Sequence, residues 1–115
     1  MRLRLPSKTT CEKFFLAYEL KGCQEAVNYL TRYYGVRRLK LIVDGRKVLT
    51  TKAHKKYAAH YYKNKAYFVR RFLNKRIVLH ELYHHLIDGK GITMPLRQEE
   101  KNAERFARAI MRKRP

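Results

Sequence analysis

Apolar positions along this chain change period twice, and each change marks a new group of elements. Cys11, Phe14, Phe15 and Tyr18 recur at helical spacing, and Cys23, Ala26, Val27, Leu30 and Tyr34 continue the pattern. Thr9-x-x-Glu12 has the form of a capping box at the start of this helix. Gly22 falls inside the helix, where it kinks or splits it, and Gly35 is placed to end it. The pattern then shortens. Val36 to Val43 and Arg46 to Thr51 flank Asp44-Gly45, a strong hairpin signal. A second hairpin is predicted from Tyr57 to Tyr62 and Ala66 to Arg70, about Lys63-Asn64-Lys65. From Arg76 to Asp88 the period is helical again and stops at Gly89. Thr93 and Pro95 open a last helix that runs to about Arg112. The order predicts an α+β fold: an N-terminal helix, whole or split, a small antiparallel or mixed sheet, and two C-terminal helices.

At 115 residues the chain is expected to form one domain. A hydrophobic content of 45% supports a folded core rather than disorder. No apolar run is long enough for a membrane span, and Met1 to Pro6 lacks the apolar stretch of a secretion signal. A soluble cytoplasmic protein, monomeric, is therefore the expectation. Cys11 and Cys23 are too few for a disulfide framework and read as buried free thiols. The formal net charge is +19, which favours an anionic partner and admits a nucleic acid bound without sequence preference. Between Ala26 and His80 the lone acid is Asp44, so the predicted sheet is expected to be basic.

The chemistry concentrates in His80-Glu81-Leu82-Tyr83-His84. On a helix, residues four apart lie one turn apart on one face, so both imidazoles can reach one ion. Zinc suits such donors. Glu81, one step round, is placed to handle a zinc-activated water rather than to bind the metal. Leu79, Leu82 and Leu86 form a stripe on roughly the opposite side, so the helix buries its leucines and keeps the histidines on a cleft. Asp88, one turn past His84, is placed to accept the outer N–H of a histidine and fix its tautomer. His85 lies off this face and reads as a surface or core-edge residue. A catalytic zinc needs a third protein ligand, expected on the last helix. There Glu99 and Glu100 straddle the apolar face of Ala103, Phe106, Ala107, Ile110 and Met111, and helix phase does not choose between them.

His80 to Asp88 reads H-E-L-x-H-x-x-x-D and resembles the active-site helix of thermolysin-type gluzincins, zinc peptidases whose third ligand is a glutamate on a downstream helix. Glu100-x-x-x-Glu104 resembles their E-x-x-x-D pattern, with Glu for Asp. Glu100-x-x-Ala103-Glu104-x-Phe106-Ala107 is also similar to the E-x-x-A-x-x-F-A helix of ImmA/IrrE-type peptidases. The fifteen residues between His84 and Glu100 make the chain most similar to the minigluzincins, which are minimal single-domain scaffolds. The resemblance implies that residues 1–115 form a single metallopeptidase domain. It implies zinc on His80, His84 and Glu100, Glu81 as general base, and Glu104 as a support for a histidine ligand. It implies a peptide or protein substrate, held along an edge strand before the motif helix. Ala58, Ala59 and His60 lie where that strand is expected.

In thermolysin a tyrosine and a histidine after the motif polarise the scissile carbonyl, but here no Tyr or His follows His85. Tyr57, His60, Tyr61 and Tyr62 are the upstream substitutes. Minigluzincins are described as zymogens, so latency is expected too; the basic segment Met111 to Pro115 reads as a solvated tail, with a place across the acidic mouth of the cleft as the alternative. The competing reading is a basic nucleic-acid-binding protein with a structural or regulatory zinc site. Glu81 separates the two, because a structural site has no use for a glutamate beside its ligand.

Overall fold

The computed structural model describes residues 3–44, 49–50 and 56–114. The N-terminal helical segment is two helices, α1 (Lys8–Lys21) and α2 (Cys23–Tyr34). The cap of α1 is not Thr9. Ser7 follows Pro6 in extended conformation, and its side chain accepts a hydrogen bond from the Thr10 N–H. Gly22 separates the helices with φ 94° and ψ 173°. Beyond Tyr34 the carbonyls of Arg32 and Thr31 are closed by the N–H groups of Gly35 and Val36, with Gly35 left-handed.

Five strands follow: β1 (Lys40–Asp44), β2 (Leu49–Thr50), β3 (Lys56–Tyr57), β4 (Ala59–Tyr62) and β5 (Lys65–Val69). The hairpin expected about Asp44-Gly45 is not among the described pairings. β1 runs parallel to β5, from Lys40↔Lys65 to Asp44↔Val69, and β2 pairs with β3. Gly45 itself lies outside the described residues. The second expected hairpin is present. β4 and β5 are antiparallel, from Ala59↔Phe68 to Tyr62↔Lys65, joined by Lys63 and Asn64. Both turn residues have positive φ, 44° and 66°, the geometry whose twist matches a two-residue hairpin. The result is a mixed sheet in the order β1-β5-β4.

The two edges of this sheet differ. On β1, the Gln24 side chain donates to the Leu39 carbonyl at 2.8 Å and accepts from the Leu41 N–H at 2.9 Å. One amide therefore stands in for a neighbouring strand. On β4, Ala58 accepts from the Val69 N–H at 2.9 Å, and the Tyr62↔Lys65 pair closes the turn. By the alternation of antiparallel pairing, the backbone groups of Ala59 and Tyr61 point to the outer edge. Of the cations behind the expected basic sheet, Arg46, Lys47, Lys52 and Lys55 lie outside the described residues. Lys40, Lys63 and Lys65 cluster at one end, while Leu41, Ile42, Val43, Tyr61, Tyr67 and Phe68 occupy the strand interiors.

A 3₁₀ turn (Arg70–Phe72) leads to α3 (Lys75–Gly89), capped by the Asn74 side chain accepting from the Ile77 N–H at 2.9 Å. The helix ends at Gly89, as expected. Gly91 is the left-handed residue, φ 66°, and the Gly91 and Ile92 N–H groups close the carbonyls of Asp88 and Ile87. Gly89 instead meets the α2–β1 connection, where a Cβ would come within 2.9 Å of Val36 Cγ1. Pro95 then precedes α4 (Leu96–Met111). α1 packs on α2, α3 on α4, α2 on α3 and β1, and α3 on β4. Phe14, Leu30, Phe68, Leu79, Leu82, Leu86 and Ile110 are fully buried at the centre. Cys11 is buried and Cys23 half-buried, both free thiols. No described helix is long and apolar enough to cross a membrane.

Candidate metal centre

The leucine stripe of α3 fixes the rotation of the helix and so the direction of its histidines. Leu79, Leu82 and Leu86 are all fully buried, and α4 packs beside them through Ala103, Phe106, Ala107 and Ile110. This docking brings the glutamates of α4 against the histidines of α3. His80 Nε2 lies 2.9 Å from Glu100 Oε2, and His84 Nε2 lies 3.1 Å from Glu100 Oε1. One carboxylate therefore meets both rings. His80, His84 and Glu100 each offer a ligand atom, all within 4.8 Å of one another, so the group could hold a metal ion. It has three members among the described residues.

The outer ring nitrogens also meet carboxylates. His80 Nδ1 lies 3.1 Å from Glu104 Oε2, and His84 Nδ1 contacts Glu99 Oε2 closely. A neutral imidazole has one N–H and one lone pair. With carboxylates at both nitrogens, the proton satisfies one side and the other is left lone pair against lone pair. Positive charge at the inner position removes that repulsion, either as a second proton on each ring or as one cation shared by both rings and Glu100. With Nδ1–H donated outward, both Nε2 lone pairs face inward, which is the arrangement of a ligated histidine. The donor set therefore fits a divalent ion.

Glu104 is itself held. Arg76, one turn before His80 on α3, donates to its Oε1 at 2.6 Å, and Arg108 at 3.2 Å. Burial acts to raise the Glu104 carboxyl, but the bonds from His80, Arg76 and Arg108 outweigh it and hold it below the usual range. Glu81 is the opposite case. It is 6% exposed, and burial raises its carboxyl, only partly opposed by His84 and His80, while Glu100 adds to the rise.

Asp88 is not a partner of either ligand histidine. It lies on the other flank of α3, where its Oδ2 accepts from the Tyr61 hydroxyl at 2.8 Å. The role expected for it, at the outer nitrogen of a histidine, is taken by Glu104 at His80 and Glu99 at His84, both from α4. The Tyr61 oxygen also lies 3.1 Å from His85 Nδ1 and accepts from the Asn64 N–H at 3.2 Å. His85 Nε2 donates to the Arg37 carbonyl at 2.6 Å. His85 is 1% exposed, so of the two readings for it the core is the correct one. Burial pushes the Tyr61 phenol up to about 12, with the Asn64 bond opposing and Asp88 reinforcing the rise. This clasp joins edge strand β4 to α3. Between them, beside His84 and Glu99, is an open groove of about 400 Å³, also lined by Tyr61, Tyr62, Ile87 and Met94.

Comparison of the chain with protein-family models, with curated proteins and with solved structures finds no match.

Of the strand residues expected to hold substrate, only Ala59 turns its backbone to the edge that no described strand pairs. Ala58 and His60 face β5, and Tyr61 is the second outward residue. Tyr61 offers no spare hydroxyl for a carbonyl, since its phenol is engaged by Asp88, His85 and Asn64. Tyr62 is 57% exposed beside the groove. His54 and the side chain of Tyr57 lie outside the described residues. The basic tail is not at the acidic mouth. Lys113 Nζ donates to the Pro6 carbonyl at 3.1 Å, beyond the far end of α4, about 16 Å along the helix from Glu100. Sequence reasoning missed Arg76 and the Tyr61 clasp. Arg76 carries a signal, being four residues before His80 and so on the same face.

Proposed function

We propose that this chain is a zinc-dependent metallopeptidase of the gluzincin kind, with His80, His84 and Glu100 as ligands. The observation that carries the reading is the convergence of two inward imidazoles on one carboxylate, each ring backed by a second carboxylate, with a buried glutamate beside them. Two nitrogens and an oxygen are the donor set of a catalytic zinc with a position left for water. A zinc ion held there supplies a Lewis acid and acidifies a water.

The protein supplies the rest. Glu104, itself held by Arg76 and Arg108, fixes His80; Glu99 fixes His84. The raised carboxyl of Glu81 is a better proton acceptor than an exposed glutamate. Its carboxylate takes a proton from the attacking water and returns it to the leaving amine. An extended peptide adds to the outer edge of β4 through the outward backbone groups of Ala59 and Tyr61. A structural or regulatory metal site would leave Glu81 without a role.

The test is Glu81→Gln. It should retain about one zinc per chain and the wild-type circular dichroism spectrum, and lose cleavage of an unfolded protein by at least about a hundredfold. Cleavage by the variant at the wild-type rate would defeat the mechanism. A zinc-loaded protein that cleaves no peptide, either as the wild type or when truncated after Met111, would defeat the peptidase reading itself.

A further inference from the structure

Outside the metal centre, the strongest unexplained feature is the outer face of α4. Arg97, Lys101, Arg105, Arg108 and Arg112 follow one another at intervals of four, four, three and four residues. They fall within an arc of roughly 80°, about opposite the buried face of Ala103, Phe106 and Ile110. All five are exposed, and the row rises about 22 Å along the helix. Arg108 is paired with Glu104. The other four make no side-chain hydrogen bond or ion pair among the described residues. Like charges at these spacings destabilise a helix, so a polyanion laid along the row would relieve a strain that the free protein carries.

We infer that α4 docks a nucleic-acid backbone along this row. Four of the five cations are arginines, whose planar guanidinium matches phosphate oxygens in pairs. Beside the row runs a groove of about 670 Å³ between residues 3–5 and α4. Arg4, Arg105 and Arg112 stand at its rim, and Leu3, Met94 and Phe106 line it, with no acid among its lining residues. Phosphates reach the rim while sugars lie over the apolar floor. A membrane surface is a poor fit, because the apolar side of α4 is spent in the core and cannot insert. An acidic protein is a poorer fit, because the row itself carries no aromatic or aliphatic side chain and Leu5 is the one large exposed apolar residue lining the groove beside it. The surface is distinct from the sheet, whose described cations gather at one end. It is also separate from the candidate metal ligands, since His80 and His84 lie on α3 and Glu100 on another arc of α4.

The experiment is fluorescence anisotropy with labelled 20-base-pair and single-stranded DNA over a salt series. Three proteins are compared: wild type, Arg97→Gln/Lys101→Gln/Arg105→Gln, and Lys40→Gln/Lys63→Gln/Lys65→Gln. Both variants lose the same charge. Each phosphate contact contributes about −0.9 to the slope of log affinity against log salt on duplex DNA. The α4 variant should bind at least about tenfold more weakly, with a slope shallower by roughly 2 to 3. The sheet variant should stay within about twofold of wild type. DNA should raise the Tm of the wild type and not that of the α4 variant. Glu100→Ala should bind DNA like the wild type, which separates this inference from the metal reading. Equal losses in both variants would show that net charge alone drives binding. No binding by the wild type, or tighter binding to poly-glutamate of equal charge, would overturn the inference.

Discussion

Helix α3 carries two histidine–carboxylate clusters on two flanks, and they are built for opposite ends. On one flank His80 and His84 meet Glu100 through their inner nitrogens and Glu104 and Glu99 through their outer ones. Every partner is an acceptor, so protons on the rings do not satisfy the set unless positive charge is added. On the other flank, His85 gives its Nε2–H to the Arg37 carbonyl and turns Nδ1 to a hydroxyl, while Asp88 receives the hydroxyl proton. The three contacts of this cluster draw on two protons, one on the neutral ring and one on the hydroxyl, so it falls one proton short, where the four contacts of the first flank fall two short. Burial does not distinguish them, since His84 and His85 are 7% and 1% exposed. What distinguishes them is the chemistry of the second partner of each ring: a carboxylate invites a cation, whereas a carbonyl or hydroxyl completes a fastener.

The largest effect should separate the flanks outright. His80→Ala, His84→Ala and Glu100→Ala should each remove most of the zinc measured by elemental analysis, while His85→Ala retains about one ion per chain. Loss of zinc in Glu99→Ala with retention in Glu100→Ala would reverse the roles given to the two neighbours on α4.

A smaller effect sharpens the contrast between the acids. Glu99→Gln and Glu104→Gln each weaken the hold on one ring, and zinc affinity measured against a competing chelator should fall about 10- to 100-fold. Asp88→Asn should leave it within a few-fold, since Asp88 touches Tyr61 rather than a ligand histidine. An Asp88→Asn loss as large as that of Glu99→Gln would dissolve the distinction between flanks.

The smallest effect reads the fastener alone. Tyr61→Phe keeps the ring and removes the hydroxyl, and should cost about 1 kcal/mol in denaturant unfolding at neutral pH. The folded phenol titrates at about 12, above the ordinary value of 10.0. Its contribution is therefore complete below pH 10 and is lost as pH rises through 12. Wild type and variant should converge in stability over that interval, and the variant should lack one late-titrating phenolate absorbance. A stability gap unchanged at pH 12 would remove Tyr61 from the clasp.

The α+β order, the helix break at Gly22, the Lys63-Asn64 turn and the outward face of His80 and His84 were legible in the chain. Each depends on local rules: helical or strand period, positive φ at a two-residue turn, and four-residue spacing on one face. The errors fell where two local signals competed or where a partner lay far along the chain. Ser7 displaced Thr9 as cap because the chain enters α1 in extended form directly after Pro6. The helix ended at Gly89 as read, but the left-handed residue that follows it is Gly91, two positions on. The parallel pairing of β1 with β5 went unread because a parallel partner leaves no turn signal beside it.

For the candidate site, the sequence by itself determined which residues can ligate and that His80, Glu81 and His84 share a helix, because periodicity sets directions within one element. Only the tertiary structure decided between Glu99 and Glu100 as the carboxylate facing both inner nitrogens. It also gave Glu99 to the outer nitrogen of His84 and sent Asp88 to Tyr61. The two glutamates are adjacent and lie similar distances from the centre of the apolar face of α4, so helix phase ranks them equally. The choice rests on how α4 is rotated and shifted against α3 when Ala103, Phe106, Ala107 and Ile110 pack down. That docking is set by side chains from both helices at once, and no periodicity within either one encodes it.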